Sequence, residues 1–226
     1  MNRNIKITVI VALLFVVLVF FLTWLRVSRN NAPASLTPQE LREVGARVYE
    51  QPVELSAFSL IDQYGQPFNE SSLQGQWSLL FFGFTSCPDI CPLTLHELRR
   101  FYEDEQNAAY QADTEVVMVS VDPFRDTQEK LAEYMALFHP DFLGVSGDFA
   151  VISQLARQLY VAHSAPPAHV ANHDGDAGAA QDYLIDHSGN ILIINPQGKY
   201  HGFMEGSIKS ENISRAYESI RSSYRP

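Results

Sequence analysis

Two cysteines, Cys87 and Cys91, are the only ones in the 226-residue chain, and three residues separate them. They interrupt the stretch Leu79 to Leu98, LLFFGFTSCPDICPLTLHEL. Leu79 to Phe84 is a short, aromatic apolar run, the pattern of a buried strand. Thr85-Ser86 breaks it, and from about Leu93 the pattern turns helical. A thiol at a helix N-terminus is expected to favour its thiolate, because the backbone N–H groups there are unsatisfied and the dipole is positive. The four-residue offset predicts both sulfurs on one side of a helical turn, within reach of one metal ion or one disulfide.

Three chemistries fit such a pair. A structural disulfide closing so small a loop would constrain the unfolded chain little. A dithiol–disulfide redox centre usually has two intervening residues rather than three. A metal site would use the soft thiolates for copper(I), zinc or an iron–sulfur centre, with a further ligand from elsewhere. Spacing alone leaves redox and metal use open.

Seven histidines are available. His96 lies five residues after Cys91 on the expected helix and points away from it. His139, before Pro140, reads as a dipole partner at a helix end. His201 sits on a late strand and is expected to be exposed. His163, His169 and His173 fall in residues 163–181, HSAPPAHVANHDGDAGAAQ, an Ala/Pro/Gly/Asp-rich loop without periodicity. His187 follows an expected strand, Asp182 to Asp186, so a rigid element would hold it. Strand-end histidines are more often structural than ligands, and spacing does not single this one out.

The elements that must position these residues form an α/β body behind an apolar leader. Ile7 to Leu25 is a 19-residue apolar run broken only by Thr8 and Thr23. At about 1.5 Å per residue it would cross a hydrocarbon core of roughly 30 Å. It is longer than a signal-peptide core of about 7–15 residues, and Ala32-Pro33-Ala34 lies well past its end, so an uncleaved anchor is expected. The basic residues give a slight bias to residues 1–6 inside and the body outside. Residues 26–51 read as a linker and stalk, with a Thr37-Pro38-Gln39-Glu40 capping box opening a helix to about Glu50. From residue 52 to 226, apolar strands alternate with helices. An N-terminal hairpin (Glu54 to Leu60, returning at Pro67-Phe68) precedes central strands at Trp77 to Phe84 and Glu115 to Val121, and a terminal hairpin and helix follow. That order predicts a thioredoxin-like fold, with a central mixed sheet flanked by helices. Beyond residue 29 the chain has 12 basic against 26 acidic residues. So acidic a body is a poor candidate for nucleic-acid binding.

Phe82-Gly83-Phe84-Thr85-Ser86-Cys87-Pro88-Asp89-Ile90-Cys91-Pro92 resembles the signature of the Sco/SenC family. Ser120-Val121-Asp122-Pro123-Phe124-Arg125-Asp126-Thr127 resembles that family's second motif, and Asp182-Tyr183-Leu184-Ile185-Asp186-His187-Ser188 its third. The three stand in family order. The resemblance implies one copper site made by Cys87, Cys91 and His187, able to hold copper(I) or copper(II). It also implies a metallochaperone that serves the binuclear copper centre of cytochrome c oxidase subunit II or another oxidase subunit, reduces its cysteines, or both. Periplasmic copper chaperones and thiol reductants are then expected partners, with the body on the periplasmic side of a bacterial inner membrane. The absence of an Arg/Ser-rich transit segment ahead of the anchor favours that membrane over a mitochondrial one. Asp89 and Asp186 are candidates to orient ligands or tune charge. Asp122 and Arg125 are candidates for an ion pair or a partner surface, of which the ion pair is favoured.

Two departures stand out. Thioredoxins usually carry a cis-proline where this chain has Asp186-His187-Ser188-Gly189, which favours metal binding over general disulfide exchange. Loop 163–181 is longer than the family leads one to expect, and it reads as a solvated insertion or a copper-capturing arm. The rival readings of the whole are a thiol–disulfide oxidoreductase or peroxiredoxin-like enzyme using Cys87 and Cys91, and a copper or redox sensor.

Overall fold

Strand β4 (Trp77–Gly83) is buried at every position, as its unbroken apolar run requires. A strand covered on both faces sits inside a sheet with helices above and below. The computed structural model describes residues 12–24, 35–162, 189–206 and 208–225. The expected strand Asp182–Asp186, loop 163–181 with His163, His169 and His173, and the residues Asp186 and His187 lie outside the described residues. So do the two ends of the apolar run Ile7–Leu25.

Among the described residues the sheet has eight strands, β1 (Ala46–Val53), β2 (Ser59–Asp62), β3 (Pro67–Asn69), β4, β5 (Thr114–Ser120), β6 (Leu143–Ser146), β7 (Ile191–Ile194) and β8 (Tyr200–Met204), in the order β1-β8-β7-β4-β5-β6-β2-β3. β4 pairs in parallel with β5 (Thr114–Ser120), from Trp77 opposite Thr114 to Gly83 opposite Ser120. β5 pairs in parallel with β6 (Leu143–Ser146). Helices make these two crossovers: α3 (Ile90–Glu103) and the short α4 (Ala108–Gln111) between β4 and β5, and α5 (Gln128–Ala136) between β5 and β6. On the other side of β4, strands β7 (Ile191–Ile194), β8 (Tyr200–Met204) and β1 (Ala46–Val53) follow, each antiparallel to its neighbour. Beyond β6 comes the expected hairpin, β2 (Ser59–Asp62) and β3 (Pro67–Asn69). Its turn is held by the Asp62 carboxylate, which accepts from the backbone N–H groups of Tyr64 and Gln66, both at 2.8 Å. This is the thioredoxin-like α/β architecture with a central mixed sheet.

Side chains alternate across β4 as the pleat demands. Leu80, Phe82 and Phe84 join Val117, Val119 and Val121 of the β5 region in the core on the side of α6 (Phe149–Gln158), with Ile152, Leu155 and Ala156. Trp77 points to the opposite face. There its ring centroid lies 6.0 Å from that of Tyr217 in α7 (Ser210–Ser223), and Phe101 of α3 lies 5.3 Å from Tyr217.

One expectation fails outright. The capping box forms as read: Glu40 N–H donates to Thr37 Oγ1 at 3.3 Å, and Thr37 N–H donates to Glu40 Oε2 at 2.8 Å. Yet the helix, α2 (Pro38–Glu43), stops well short of Glu50, and residues 46–53 are strand β1. Gly45 stops it: at φ +83° it takes the left-handed conformation that ends helices. The chain then turns straight into the sheet, where Arg47 pairs with Glu205 at 2.6 Å. Residues 54–58, expected to begin a strand, have no regular structure, and β2 starts at Ser59.

Separately from this body, residues 12–24 form a helix, α1, exposed along its whole length. Among the described residues, no helix is long and apolar enough to cross a membrane.

Candidate metal centre

The cysteine loop leaves the C-terminal end of β4 and enters α3. The helix begins at Ile90, earlier than its pattern suggested, so the two cysteines do not share a helical turn. Cys91 is the second residue of the helix, whereas Cys87 stands before it in a turn closed by Cys87 N–H donating to the Phe84 carbonyl at 3.1 Å. The side chains still meet, and no disulfide bridges them. Cys87 is half-buried and Cys91 is 1% exposed.

Gly83 explains how Cys91 is buried. A Cβ at this last residue of β4 would stand 2.8 Å from Cys91 Sγ and 3.3 Å from Met118 Sδ. Cys91 sulfur therefore fills the space that a side chain at position 83 would take. The environment reverses the expectation of a lowered thiol pKa for Cys91. Its neighbour Cys87 raises the pKa most, through hydrogen bonding, and burial raises it further. A buried thiol beside a second sulfur outweighs a helix N-terminus whose Asp89 makes no side-chain cap.

The turn after β5 holds the cysteine loop in place. Asp126, 3% exposed, accepts from Thr85 N–H at 3.0 Å, Thr85 Oγ1–H at 2.6 Å and Ser120 Oγ–H at 2.6 Å. Ser120 Oγ in turn accepts from Asp122 N–H at 3.1 Å, and Val121 N–H donates to the Gly83 carbonyl at 2.9 Å. Burial raises the Asp126 pKa, while the hydrogen bonds from Ser120 and Thr85 oppose the rise. Asp122 and Arg125 form a buried ion pair, and the Arg125 guanidinium lies 5.6 Å above the Phe84 ring. Asp126 and Thr127 are two potential capping acceptors in succession ahead of α5. Thr127 alone caps α5, accepting from Lys130 N–H at 3.3 Å, and Asp126 turns inward to Thr85. Two acceptors in succession before a helix were the available signal.

The remaining candidates separate. Asp89 is exposed. His139 sits edge-on to Tyr102, with ring centroids 4.9 Å apart, and its Nδ1 accepts from Asp141 N–H at 3.1 Å. His201, expected at the surface, is buried, because β8 is flanked by β7 and β1. Its ring lies 5.6 Å from Trp77, and burial lowers its pKa. Among the described residues no group of three His, Cys, Asp or Glu side chains could hold a metal. The Cys87–Cys91 pair offers two sulfur donors, which suit a soft cation. One further contact bears on the missing donor. Where the described chain resumes at Gly189, a Cβ on that residue would stand 2.6 Å from Ile90 Cγ1, beside Cys91.

Comparison with known proteins agrees with this geometry. The SCO1/SenC family profile matches residues 47–222. A SCO2-like protein of Rickettsia typhi is 36% identical over 214 residues, covering 92% of this chain and 96% of its own. The crystal structure of yeast Sco1 with copper bound superposes with a TM-score of 0.68 at 31% identity, covering 77% of this chain and 92% of that one. Arabidopsis thaliana ScoI with copper bound gives 0.62 at 32% identity, covering 74% and 97%. With its profile match, its fold and its paired thiols between β4 and α3, the chain belongs to the SCO1/SenC family.

Proposed function

We propose that this chain is a membrane-anchored copper chaperone for cytochrome c oxidase assembly, holding one copper ion through Cys87, Cys91 and His187. The observation that carries the reading is the adjacency of the two thiols at the β4–α3 junction, with Gly189 packed on Ile90 between them in sequence. His187 is two residues from Gly189, a tether of about 7 Å at most. Two thiolates suit copper(I), and an imidazole adds tolerance for copper(II). Cys87, the more exposed sulfur, is the natural point at which a client ligand could enter and take the metal. The relatives support copper as the cargo, since two similar structures are described as copper-bound. Residues 7–25 are the proposed anchor, in keeping with the exposed apolar helix at 12–24, and the body is proposed to lie in the periplasm of a bacterial cell. Oxidase subunit II, or another oxidase subunit, is the proposed client.

The test is copper retention by the full chain in detergent, reduced, loaded and desalted, beside His187→Ala. One copper per chain, lost or weakened in the variant, is expected. No retained copper in the unmodified chain would overturn the reading.

A second reading has its own observation, the unequal burial of the two sulfurs. Cys87 thiolate could attack a client disulfide, forming a mixed disulfide and releasing one client thiolate. Cys91 sulfur would then displace the second, leaving a Cys87–Cys91 disulfide and a reduced client dithiol. Client reduction by His187→Ala at the unmodified rate, without copper retention by the unmodified chain, would favour this oxidoreductase.

A further inference from the structure

We propose that the Tyr134 hydroxyl is a hydrogen-bond donor held for the Cys91 sulfur, which it meets when a soft cation turns that sulfur into a thiolate. Tyr134 is then a positioning residue that acts on the metal through Cys91. The inference rests on the two cysteines as metal ligands, not on His187, and it deepens the copper reading.

The sheet sets Tyr134 beside the thiols. Met118 of β5 stands opposite Phe81 of β4 on one side and Gly144 of β6 on the other. Side chains alternate along a strand, so Gly83, two residues past Phe81, shares the face of Met118 and Gly144. Cys91 Sγ, from α3, fills that face at Gly83, where a Cβ would stand 2.8 Å from it and 3.3 Å from Met118 Sδ. Met135 and Leu131, from α5, fill it at Gly144, where a Cβ would stand 3.0 Å from Met135 Cγ and 3.3 Å from Leu131 Cδ2. The first turn of α3 and helix α5 are therefore neighbours, with Met118 beneath and between them. Tyr134 precedes Met135 and follows Leu131 by three residues, so it borders the buried stripe of α5. Its ring packs edge-on against Phe138, with centroids 5.3 Å apart. The hydroxyl is buried and finds no hydrogen-bond partner among the described residues. Burial most of all, and then the nearness of Cys91 ahead of Cys87, holds its pKa above that of an ordinary phenol, so the group stays a protonated donor.

A buried hydroxyl without a partner is a cost to the fold. Cys91 has the complementary need. Soft cations are held by thiolates, and a thiolate only 1% exposed is an anion beyond the reach of water. An O–H donor aimed at it supplies what water cannot. In the metal-free chain Cys91 shares a hydrogen bond with Cys87, and the need does not arise. A cation that claims both sulfurs removes that bond, and a shift of the Tyr134 side chain then brings its O–H onto Cys91. A sulfur that accepts a hydrogen bond gives less charge to its metal and so favours copper(I) over copper(II).

The experiment compares the full chain in detergent with its Tyr134→Phe variant, which removes one oxygen atom. Copper(I) affinity is measured by competition with a chromogenic chelator, and the copper(II)/copper(I) potential and the copper(II)–thiolate absorption are recorded. Cadmium(II), another cation that thiolates bind, is the second probe, and the melting of the metal-free protein is followed. Tyr134→Phe is expected to weaken copper(I) and cadmium(II) by about tenfold, the scale of one hydrogen bond to an anionic acceptor. Its copper(II)–thiolate absorption should move to longer wavelength and its potential should fall, because the sulfur now gives more charge to copper(II). The metal-free melt should not fall. Unchanged potential and absorption would overturn the inference, as would an affinity loss matched by a lower metal-free melt, which is what a merely structural role produces. If the unmodified chain retains no copper, the chaperone reading falls and cadmium(II) decides this inference by itself. Binding about tenfold weaker in Tyr134→Phe upholds it, and equal binding overturns it.

Discussion

The turns after β4 and β5 leave the same edge of the sheet, because the two strands are parallel, but they are built differently. The first carries Cys87 and Cys91, joined by a hydrogen bond between the two thiols and tied back to β4 by a backbone bond from Cys87 to Phe84. Asp89, formally its helix cap, makes no side-chain cap, and Ile90 and Leu93 face solvent. The second is bonded through itself by the buried Asp122–Arg125 pair, the Ser120–Asp122 bond and the Ser120–Asp126 bond. It also reaches across to hold Thr85 at two points. The reactive loop takes its order from its neighbour. Chemistry and stability are thereby divided between two turns, and mutations should separate them.

The largest expected effect on stability lies in the second turn. Asp122→Ala strands the Arg125 guanidinium, whose side chain is only 10% exposed. A loss of about 3–5 kcal/mol is expected for a buried pair broken on one side. Denaturant unfolding measures it, and a loss below about 1 kcal/mol would show that the pair is effectively solvated. Next comes Asp126→Ala, which leaves two hydroxyls and one N–H without their acceptor. It should cost about 2–3 kcal/mol and loosen the cysteine turn as well, so that Cys87 alkylates faster in the folded protein. If stability falls but alkylation keeps its rate, the claim that one turn orders the other is wrong.

A smaller effect probes the opposite end of β5. Burial pushes the Glu115 carboxyl up to about 7 from an ordinary 4.5. The fold thus prefers the protonated form. Glu115 costs nothing below about pH 4.5 and destabilises progressively as the pH rises through about 7. Glu115→Gln should therefore gain stability over the parent at pH 8 by on the order of 1 kcal/mol, and gain little at pH 4. Melting curves at the two pH values decide it, and equal gains at both would contradict the assignment. The smallest change is Tyr134→Phe. The Tyr134 hydroxyl is buried and finds no hydrogen-bond partner among the described residues. Burial raises its pKa most, and the charges of Cys91 and Cys87 add to the rise. Removing it should be neutral or stabilising by up to about 1 kcal/mol. A clear loss of stability would mean that the hydroxyl has a partner in the folded protein.

Much of this arrangement was legible in the sequence. β4 and β5 announced themselves as apolar runs, and Cys87 and Cys91 could be set at a strand-to-helix turn from residue types alone. The edge strand β1 is hidden because Thr37-Pro38-Gln39-Glu40 gives a strong helix start that masks the stop at Gly45. Local propensity could not show that residues 46–53 pair with β8, about 150 positions away. Asp126 was hidden by a plausible capping role beside Thr127. The depth of Cys91 depends on Gly83, across the loop that joins β4 to α3, and Gly189 comes from far along the chain to lie against Ile90. Neither contact leaves a trace in spacing. His187 was singled out only by resemblance, since a strand-end histidine carries no metal signal of its own.

The central claim is the donor set at the turn after β4, and X-ray absorption on the copper(I)-loaded full chain tests it most directly. The account predicts two sulfur scatterers and one imidazole, with the imidazole signature lost in His187→Ala and one sulfur lost in Cys87→Ser. A spectrum without imidazole in the unmodified chain, or a sulfur count unmoved by Cys87→Ser, would contradict it.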